Sequence, residues 1–370
     1  MSEMKELFDM TTKQIEPDLD SWKQQEDRQR RRGRNRRVGA FAVAAAVVLA
    51  ALIAFAASLP GDRSRPEPAD QPTLGASVPP RTLEPDAQDV AIVDLRGEPV
   101  AGIVNLPEDA FALSLSSDRT TVAFVTAAGS QMQIATIQID GTAMEVLETD
   151  VSATMPAWSP DGERIAFVGE VDGQDDVFVM DADGSDVRRV TTDAADDIYP
   201  RWSPDGITIA YTNVGDEPNA DDPQFSTTAD IWTIPANGGT ATRLTTAPGP
   251  DAQPDYSPDG SQIAYYHDDS IRLMDADGGN GHLLLHTGTG AFTPRWSPDG
   301  SWIAYTDYDA SYRPYVTVNG RTFEAPLVMV QVVDPQTGRH HAVGDVGMAT
   351  DTNVPEWWSD DLLLIRRVGH

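Results

Sequence analysis

The chain has 370 residues, contains no cysteine, and carries a net charge of −31 from 58 acidic and 27 basic side chains. The lack of cysteine excludes disulfides, thiolate metal sites and a cysteine nucleophile. Residues 1–37 hold ten of the basic and eight of the acidic side chains, so the remainder carries −33. That remainder is too acidic to bind nucleic acid through its overall field.

The first 59 residues predict a cytoplasmic tail (1–37) followed by one transmembrane helix (38–59). The 22 residues of the apolar segment, VGAFAVAAAVVLAALIAFAASL, carry no charge. As a helix they would be about 33 Å long, which is enough to cross a bilayer. Seven arginines lie just before them, between Arg28 and Arg37. The positive-inside rule therefore predicts a cytoplasmic N-terminus and an extracytoplasmic remainder.

A signal peptide cleaved near Ala54-Phe55-Ala56 is the alternative interpretation of this segment. Its leading segment and its apolar run are both longer than those of a usual signal peptide, so we favour an uncleaved anchor. Residues 60–88 are rich in proline and acidic residues. This composition predicts an extended linker that holds the next domain away from the membrane.

The sequence after residue 88 repeats itself. The heptapeptide PRWSPDG occurs at 200–206 and again at 294–300, while PAWSPDG and PDYSPDG begin at Pro156 and Pro254. A degenerate copy, LSLSSDR, lies earlier in the chain, and another, PEWWSDD, lies near its end. The aspartates of the six copies are 43, 44, 54, 40 and 61 residues apart, a period typical of propellers and large solenoids.

The copy at residues 156–192 shows what one unit contains. A short strand ends in a Pro-Asp-Gly turn, in which proline presets φ and glycine accepts a positive φ. ERIAFVG, DVFVMD and VRRVT follow, separated by turn residues. Four short strands without helical periodicity predict a four-stranded propeller blade. We expect the aromatic residue of the motif and the alanine of IA[FY] to pack between neighbouring blades.

The two ends of the repeat region complement each other. The last copy has residues for only two strands, and half a blade would leave a bare sheet edge. Residues 89–103, DVAIVDLRGEPVAGI, align without gaps on residues 176–190, which form the second half of a blade. The sequence therefore predicts an all-β, six-bladed β-propeller over residues 89–370. N-terminal strands complete its last blade, and one transmembrane helix precedes it.

The pattern [WY]SPDG-x-x-IA[FY]…DADG resembles the repeat of TolB-like β-propellers, over about residues 89–367. The resemblance implies a six-bladed extracytoplasmic propeller that binds other proteins. TolB itself is a soluble periplasmic protein with an additional N-terminal α/β domain. This chain has a predicted anchor and linker instead, so the partners of TolB do not transfer to it.

Long insertions predict a recognition surface on one face of the ring. Residues 213–228 and 306–326 follow the second strand of their units, opposite the tight SPDG and ADGS turns. Long loops on a rigid scaffold commonly carry recognition, and the second insertion is rich in tyrosine and arginine. We expect a protein, peptide or glycan to bind there. The candidate residues are Tyr308, Tyr312, Arg313, Tyr315, Arg321 and Phe323.

We predict a non-catalytic scaffold or sensor at the cell envelope, without cofactor, metal or nucleic-acid partner. The chain has no P-loop, dinucleotide fingerprint or G-x-S-x-G elbow. His282 and His286 have no third ligand nearby in the sequence. An alternative function is transmembrane signalling through the tail, as in anti-sigma factors, and this alternative rests on the layout alone.

Overall fold

The computed structural model describes the repeat domain: residues 89–107, 110–215, 228–288, 290–309, 315–318, 321–324, 327–343 and 355–366. The predicted tail, transmembrane segment and linker lie outside these residues. All regular structure in the described part is β-strand, as predicted from the sequence. None of its segments is a helix long and apolar enough to cross a bilayer.

Two strands come first in the chain, β1 (Asp89–Asp94) and β2 (Pro99–Asn105). Five four-stranded antiparallel sheets follow them in the described residues, and we number these sheets blades 1 to 5 in chain order. Blade 1 comprises β3 (Phe111–Leu115), β4 (Thr121–Ala128), β5 (Gln131–Gln138) and β6 (Glu145–Leu147). Blade 2 comprises β7 (Ser152–Trp158), β8 (Arg164–Val171), β9 (Gln174–Asp181) and β10 (Arg188–Arg189).

Blades 3 to 5 have the same order of strands. Blade 3 comprises β11 (Asp197–Trp202), β12 (Thr208–Asn213), β13 (Asp230–Pro235) and β14 (Thr242–Arg243). Blade 4 comprises β15 (Asp251–Tyr256), β16 (Gln262–His267), β17 (Ser270–Asp275) and β18 (His282–His286). Blade 5 comprises β19 (Ala291–Trp296), β20 (Ile303–Asp309), β23 (Leu327–Val333) and β24 (His340–Ala342); a hairpin of β21 (Tyr315–Val318) and β22 (Arg321–Glu324) lies between its middle strands.

Blade 6 combines strands from both ends of the described chain. β25 (Glu356–Ser359) and β26 (Leu362–Arg366) form one half, and the order of the sheet is β2-β1-β26-β25. In the antiparallel pair of β1 and β26, Ile92 lies opposite Leu364. Both side chains are buried and pack with Phe124 of blade 1. Leu363 packs on the other side, with Val332 of blade 5.

The first strands of the six blades form the inner wall of the ring. Each contacts the first strand of the next blade, in the cyclic order β3, β7, β11, β15, β19, β25 and back to β3. The six-bladed propeller predicted from the repeat is therefore confirmed. All the first-to-second turns, which carry the SPDG motif, lie on one face of this ring because the strands alternate in direction.

The SPDG turn is held by its own side chains. In blade 3 the Ser203 hydroxyl donates to Asp205 Oδ1 at 2.6 Å and accepts from the amide of Thr208 at 3.0 Å. Asp205 also accepts from the amide of Ile207 at 3.0 Å. Gly206 has a φ of 70°, a value that disfavours other residues. The hydrogen bonds, above all that from Ser203, hold the pKa of Asp205 below its ordinary value.

The aromatic residue of the motif packs between blades, as predicted. Trp202 at the end of β11 lies in one buried cluster with Ala157 and Ala166 of blade 2 and Ile209 of its own blade. Its indole nitrogen donates to the carbonyl oxygen of Ala157 at 3.0 Å. The motif tryptophan of blade 3 is therefore part of the core and does not form a ligand cage.

A bulge bends most of the inner strands at the same place. The pairing register of the first two strands shifts in blades 1 to 5, and one residue in each shift has a positive φ. These residues are Ala112, Met155, Tyr199, Gln253 and Thr293. Each costs about 1–2 kcal/mol as a non-glycine residue in the left-handed region. The bulges reset the side-chain alternation just before the SPDG motif.

Candidate functional site

A cavity of about 290 Å³ opens at the centre of the face that carries the SPDG turns. Blades 1, 4, 5 and 6 contribute its walls. Six of its residues belong to the SPDG turns or to the degenerate turn of blade 1: Ser116, Ser117, Arg119, Pro258, Ser297 and Pro298. The other lining residues are Leu115, Asp255, Tyr256, Arg295, Trp296, Glu356 and Trp357. We call this cavity the channel mouth.

Four charged side chains meet at the channel mouth, three of them among its lining residues, and we call them the central tetrad: Arg201, Asp255, Arg295 and Glu356. Each occupies the position between the proline and the aromatic residue of its motif, in blades 3 to 6. Arg201 lies 3.5 Å from Glu356 (Nη2 to Oε1) and 3.8 Å from Asp255 (Nε to Oδ1). Arg295 Nε lies 3.8 Å from Glu356 Oε1. The blades thus place two cations and two anions around one axis.

The tetrad is largely removed from water, with side-chain exposures of 6% for Arg295, 15% for Arg201 and 17% for both acids. Burial raises the pKa of Asp255 and of Glu356, and the two nearby guanidinium groups oppose that rise. Burial, together with the charge of Arg201, lowers the pKa of Arg295 to about 10. The tetrad thus brings two acidic and two guanidinium side chains together in a site with little water.

Two hydrogen-bond donors at the channel mouth are buried without an acceptor in the described part of the chain. They are Arg295 Nε and Trp296 Nε1. By contrast, the indole of Trp357 donates to the carbonyl oxygen of Arg295 at 2.8 Å. A buried donor without an acceptor costs about 1–3 kcal/mol. These two donors are therefore an energetic cost to the fold beside the cavity.

The chemistry of the channel mouth suits binding. Ser116 and Ser297 each donate to the aspartate of their own turn, at 2.7 Å, so both hydroxyls hold the turns that surround the cavity. Among the residues that the structure describes, no three His, Asp or Glu side chains are grouped so as to hold a metal ion. Aromatic walls with a few fixed polar groups are typical of recognition pockets.

The structure describes only part of the predicted recognition surface. Tyr312 and Arg313 lie outside the described residues. Tyr308 is on β20 opposite Val328, and Tyr315, Arg321 and Phe323 are on the β21–β22 hairpin. This hairpin follows the second strand of blade 5, so it belongs to the face opposite the channel mouth. The predicted surface and the channel mouth are therefore separate candidates, and binding at the hairpin stays a prediction.

Sequence reasoning did not find the central tetrad, although its signal was present. The position between proline and aromatic residue is the variable one within an otherwise constant motif, occupied by Ala157, Arg201, Asp255, Arg295 and Glu356 in blades 2 to 6. Charges at that position are unexpected in a strand that lines a ring. Once the six units close into a propeller, the variable position of every unit must face the same axis.

Comparisons with known proteins agree with this architecture. Residues 80–219 match the family model described as the TolB beta propeller domain, which supports the resemblance seen in the motifs. No curated protein sequence matches the chain. The structure is similar to that of a protein assigned as TolB from Agrobacterium tumefaciens, with a TM-score of 0.63 and 22% identity over 76% of this chain and 98% of that one.

Two further solved structures are similar. TolB from Acinetobacter baumannii has a TM-score of 0.54 and 17% identity, over 76% of this chain and 64% of that chain. This chain therefore spans less than two thirds of that protein. A chain of a nidogen/laminin complex has a TM-score of 0.52 and 14% identity, over 69% and 93% of the two chains. At these identities the similarity shows a shared fold.

Proposed function

We propose that the protein is a membrane-anchored β-propeller that binds a partner protein or peptide outside the cytoplasm and performs no reaction. The observation that carries this proposal is the channel mouth, a cavity of about 290 Å³ whose wall combines aromatic and charged side chains. The match of residues 80–219 to the TolB beta propeller domain supports a binding role at the envelope.

The channel mouth defines the chemistry of the part of the partner that enters it. Arg119 adds a positive charge at the rim, and Ser117 adds an exposed hydroxyl. Tyr256 and Trp357 supply flat apolar walls. A peptide segment with carboxylate or amide oxygens matches these groups. A cavity of about 290 Å³ admits a few side chains, so the rest of the partner would lie on the surrounding turns.

The pairing of β1 with β26 supports a role for blade 6 as the closure of the ring. Their five register pairs run from Val90 with Arg366 to Asp94 with Leu362. In this proposal, strands from the two ends of the domain complete one sheet, and no blade presents a half-finished edge. A closed ring keeps the six variable positions at fixed distances around the axis. Such a scaffold binds its partner without the free-energy cost of a rearrangement.

The anchor rests on the sequence of residues 38–59 and the arginines before it. Because the chain has no cysteine, single-cysteine variants report the topology without background labelling. We expect Ser185→Cys, on an exposed turn of blade 2, to react with a membrane-impermeant maleimide in intact cells or spheroplasts. Ser2→Cys should react only after lysis. Labelling of Ser2→Cys in sealed cells, or protection of Ser185→Cys, would contradict the proposed orientation.

Blocking the channel mouth is expected to abolish partner binding. Ser117 is exposed and lines the cavity, so Ser117→Trp places an indole in the opening. Capture of an envelope protein by the full-length chain in detergent should fall at least about tenfold, a loss of about 1.4 kcal/mol. The measurement is quantitative mass spectrometry of proteins retained by each variant.

Ser185→Trp is the matched control, because it adds the same side chain to an exposed turn on the same face, away from the cavity. It should retain the partner. The predicted hairpin surface is tested beside it with Phe323→Ala and Arg321→Ala. Loss of the partner with these two variants, but not with Ser117→Trp, would move the binding site to the opposite face.

A further inference from the structure

Two aspartates share one amide group where blade 2 is connected to blade 3. Asn213, the last residue of β12, donates from Nδ2 to Asp197 Oδ1 at 2.8 Å. The same nitrogen lies 3.3 and 3.5 Å from the two carboxylate oxygens of Asp193. Asp193 belongs to the connection 190–196, and Asp197 begins β11. This site is on the face opposite the channel mouth and plays no part in the proposed function.

Asp197 is fully buried, with 0% exposure, and its second oxygen, Oδ2, has no hydrogen-bond partner in the described structure. Tyr211 of β12 is also 0% exposed, and its hydroxyl has no partner there either. The charges of Asp193 and Asp197 both act on this phenol and help to raise its pKa, after burial itself. Two polar groups of one small region, Asp197 Oδ2 and the Tyr211 hydroxyl, therefore lack hydrogen-bond partners in the described structure.

The neighbouring charged groups do not neutralise Asp197. From β9, Asp176 faces the site, and it already holds Arg189 of β10 in an ion pair of 2.6 Å. Asp196, next in the chain, accepts a hydrogen bond from the amide of Asp175 at 3.0 Å. Thr191 adds a hydroxyl that is hydrogen-bonded at this site. The groups that face Asp197 are thus acids, hydroxyls and an amide, without a cation in contact in the described structure.

The equivalent position in blade 4 has a different partner. Asp251 pairs with His267 in the same register that joins Asp197 to Asn213. Asp251 is 1% exposed, and its Oδ1 lies 2.8 Å from His267 Nδ1. A histidine can supply a positive charge or a proton, whereas an asparagine cannot. Blade 3 keeps the buried acid and lacks a basic partner for it.

A buried carboxyl group without a cation is more stable as the neutral acid. Burial, followed by the charge of Asp193, raises the pKa of Asp197 to about 7. The sign of the pH effect follows from this direction. The folded protein holds a proton that an unfolded aspartate releases at lower pH. The contribution is therefore complete below the pKa of an unfolded aspartate, falls as the pH rises above it, and is lost by about pH 7.

We propose that Asp193, Asp197 and Asn213 form a proton-dependent clasp that fastens the connection 190–196 to strand β12. With a proton on Asp197, one carboxylate and one neutral carboxyl group share the amide of Asn213. When the proton leaves, two carboxylates face each other across one amide nitrogen, and one of them is fully buried. The exposed partner, Asp193, can relieve this repulsion by turning towards water, which releases its side of the clasp.

Two hydrogen bonds donated by backbone amides at the connection 190–196 report whether the clasp is closed. The amide of Val214 donates to the carbonyl oxygen of Asp196 at 2.8 Å, and the amide of Ala195 donates to Asp193 Oδ1 at 2.9 Å. Both hydrogen bonds depend on the position that the clasp fixes. In contrast, the amide of Gly206 donates to the carbonyl oxygen of Ser203 at 2.9 Å within an SPDG turn. This hydrogen bond does not depend on the clasp.

The test is hydrogen exchange of the full-length chain in detergent at pH 6 and pH 8.5, with rates corrected for the intrinsic effect of pH. We expect the protection of Val214 and Ala195 to fall on the order of tenfold at the higher pH, because the lower pH is about one unit below the pKa of Asp197 and the higher pH is above it. Asp197→Asn should remove the difference, since its amide has no proton to lose. Asp172→Asn, on an exposed turn of blade 2, should behave like the unchanged protein.

A second variant guards against misfolding of Asp197→Asn. Asp193→Asn removes the repelling charge and should keep the protection of Val214 high at pH 8.5. Equal protection at both pH values in the unchanged protein would overturn the proposal. So would a pH-dependent loss that persists in both variants, or one that extends equally to Gly206, because the loosening would then have another origin.

Discussion

A chain that stops at residue 354 is expected to lose the cooperative unfolding transition of the propeller. The truncation removes β25 and β26, and it exposes the edge of β1 that pairs with β26. Leu363, Leu364 and Ile365 are buried and would be lost from their clusters. Burial of each such side chain contributes about 1.5–3 kcal/mol. Their combined loss is comparable with the whole stability of a domain, about 5–15 kcal/mol.

Circular dichroism during heating measures this effect. A chain shortened only by residues 367–370 serves as the control and should unfold like the full chain. The truncation at 354 should instead show a broad or absent transition, since clusters in both adjacent blades lose members. An unchanged midpoint after removal of residues 355–370 would mean that blade 6 contributes little to the ring.

Arg201→Leu is expected to destabilise the propeller by about 3–5 kcal/mol. Arg201 lies between Asp255 and Glu356, and all three side chains are at most 17% exposed. Without the guanidinium group, two acids remain in a buried site with only Arg295 to neutralise them. The measurement is denaturant-induced unfolding of the full-length chain in detergent, which gives the free energy of unfolding for each variant.

Arg188→Leu is the matched control for the central tetrad. Arg188 pairs with Asp186 at 3.2 Å, with side-chain exposures of 35% and 64%. An ion pair this exposed contributes less than about 1 kcal/mol. The double variant Arg201→Leu, Glu356→Gln should recover part of the lost free energy of unfolding, because it removes one of the two acids that Arg201 contacts. Equal, small effects of Arg201→Leu and Arg188→Leu would show that the tetrad is hydrated and energetically unimportant.

The blades could be predicted from the sequence because local chemistry determines them. Ser203, Asp205 and Gly206 each have a defined role in the SPDG turn, so the motif identifies the turn wherever it occurs. The outer strands were less predictable. The segment VRRVT suggested a full fourth strand, yet only Arg188–Arg189 pair as a strand in blade 2. At the rim of a blade, the chain can leave the sheet without exposing a core.

The channel mouth could not be predicted in the same way, because it depends on contacts between distant repeats. Arg201 and Glu356 are far apart in sequence and meet only when the ring is complete. The long insertions attracted attention instead, since length and composition are visible in a single unit. The orphaned oxygen of Asp197 was equally hidden, because burial by a neighbouring blade leaves no trace in the local sequence.

Ring closure by the two ends of the domain is the central claim, and complementation measures it most directly. The chain that stops at residue 354 is mixed with a separate peptide of residues 355–370, and a scrambled peptide serves as the control. We predict that only the authentic peptide restores a cooperative thermal transition, because it supplies β25 and β26 to the edge of β1. A truncated chain that unfolds cooperatively at the midpoint of the full chain, with no peptide present, would contradict the account.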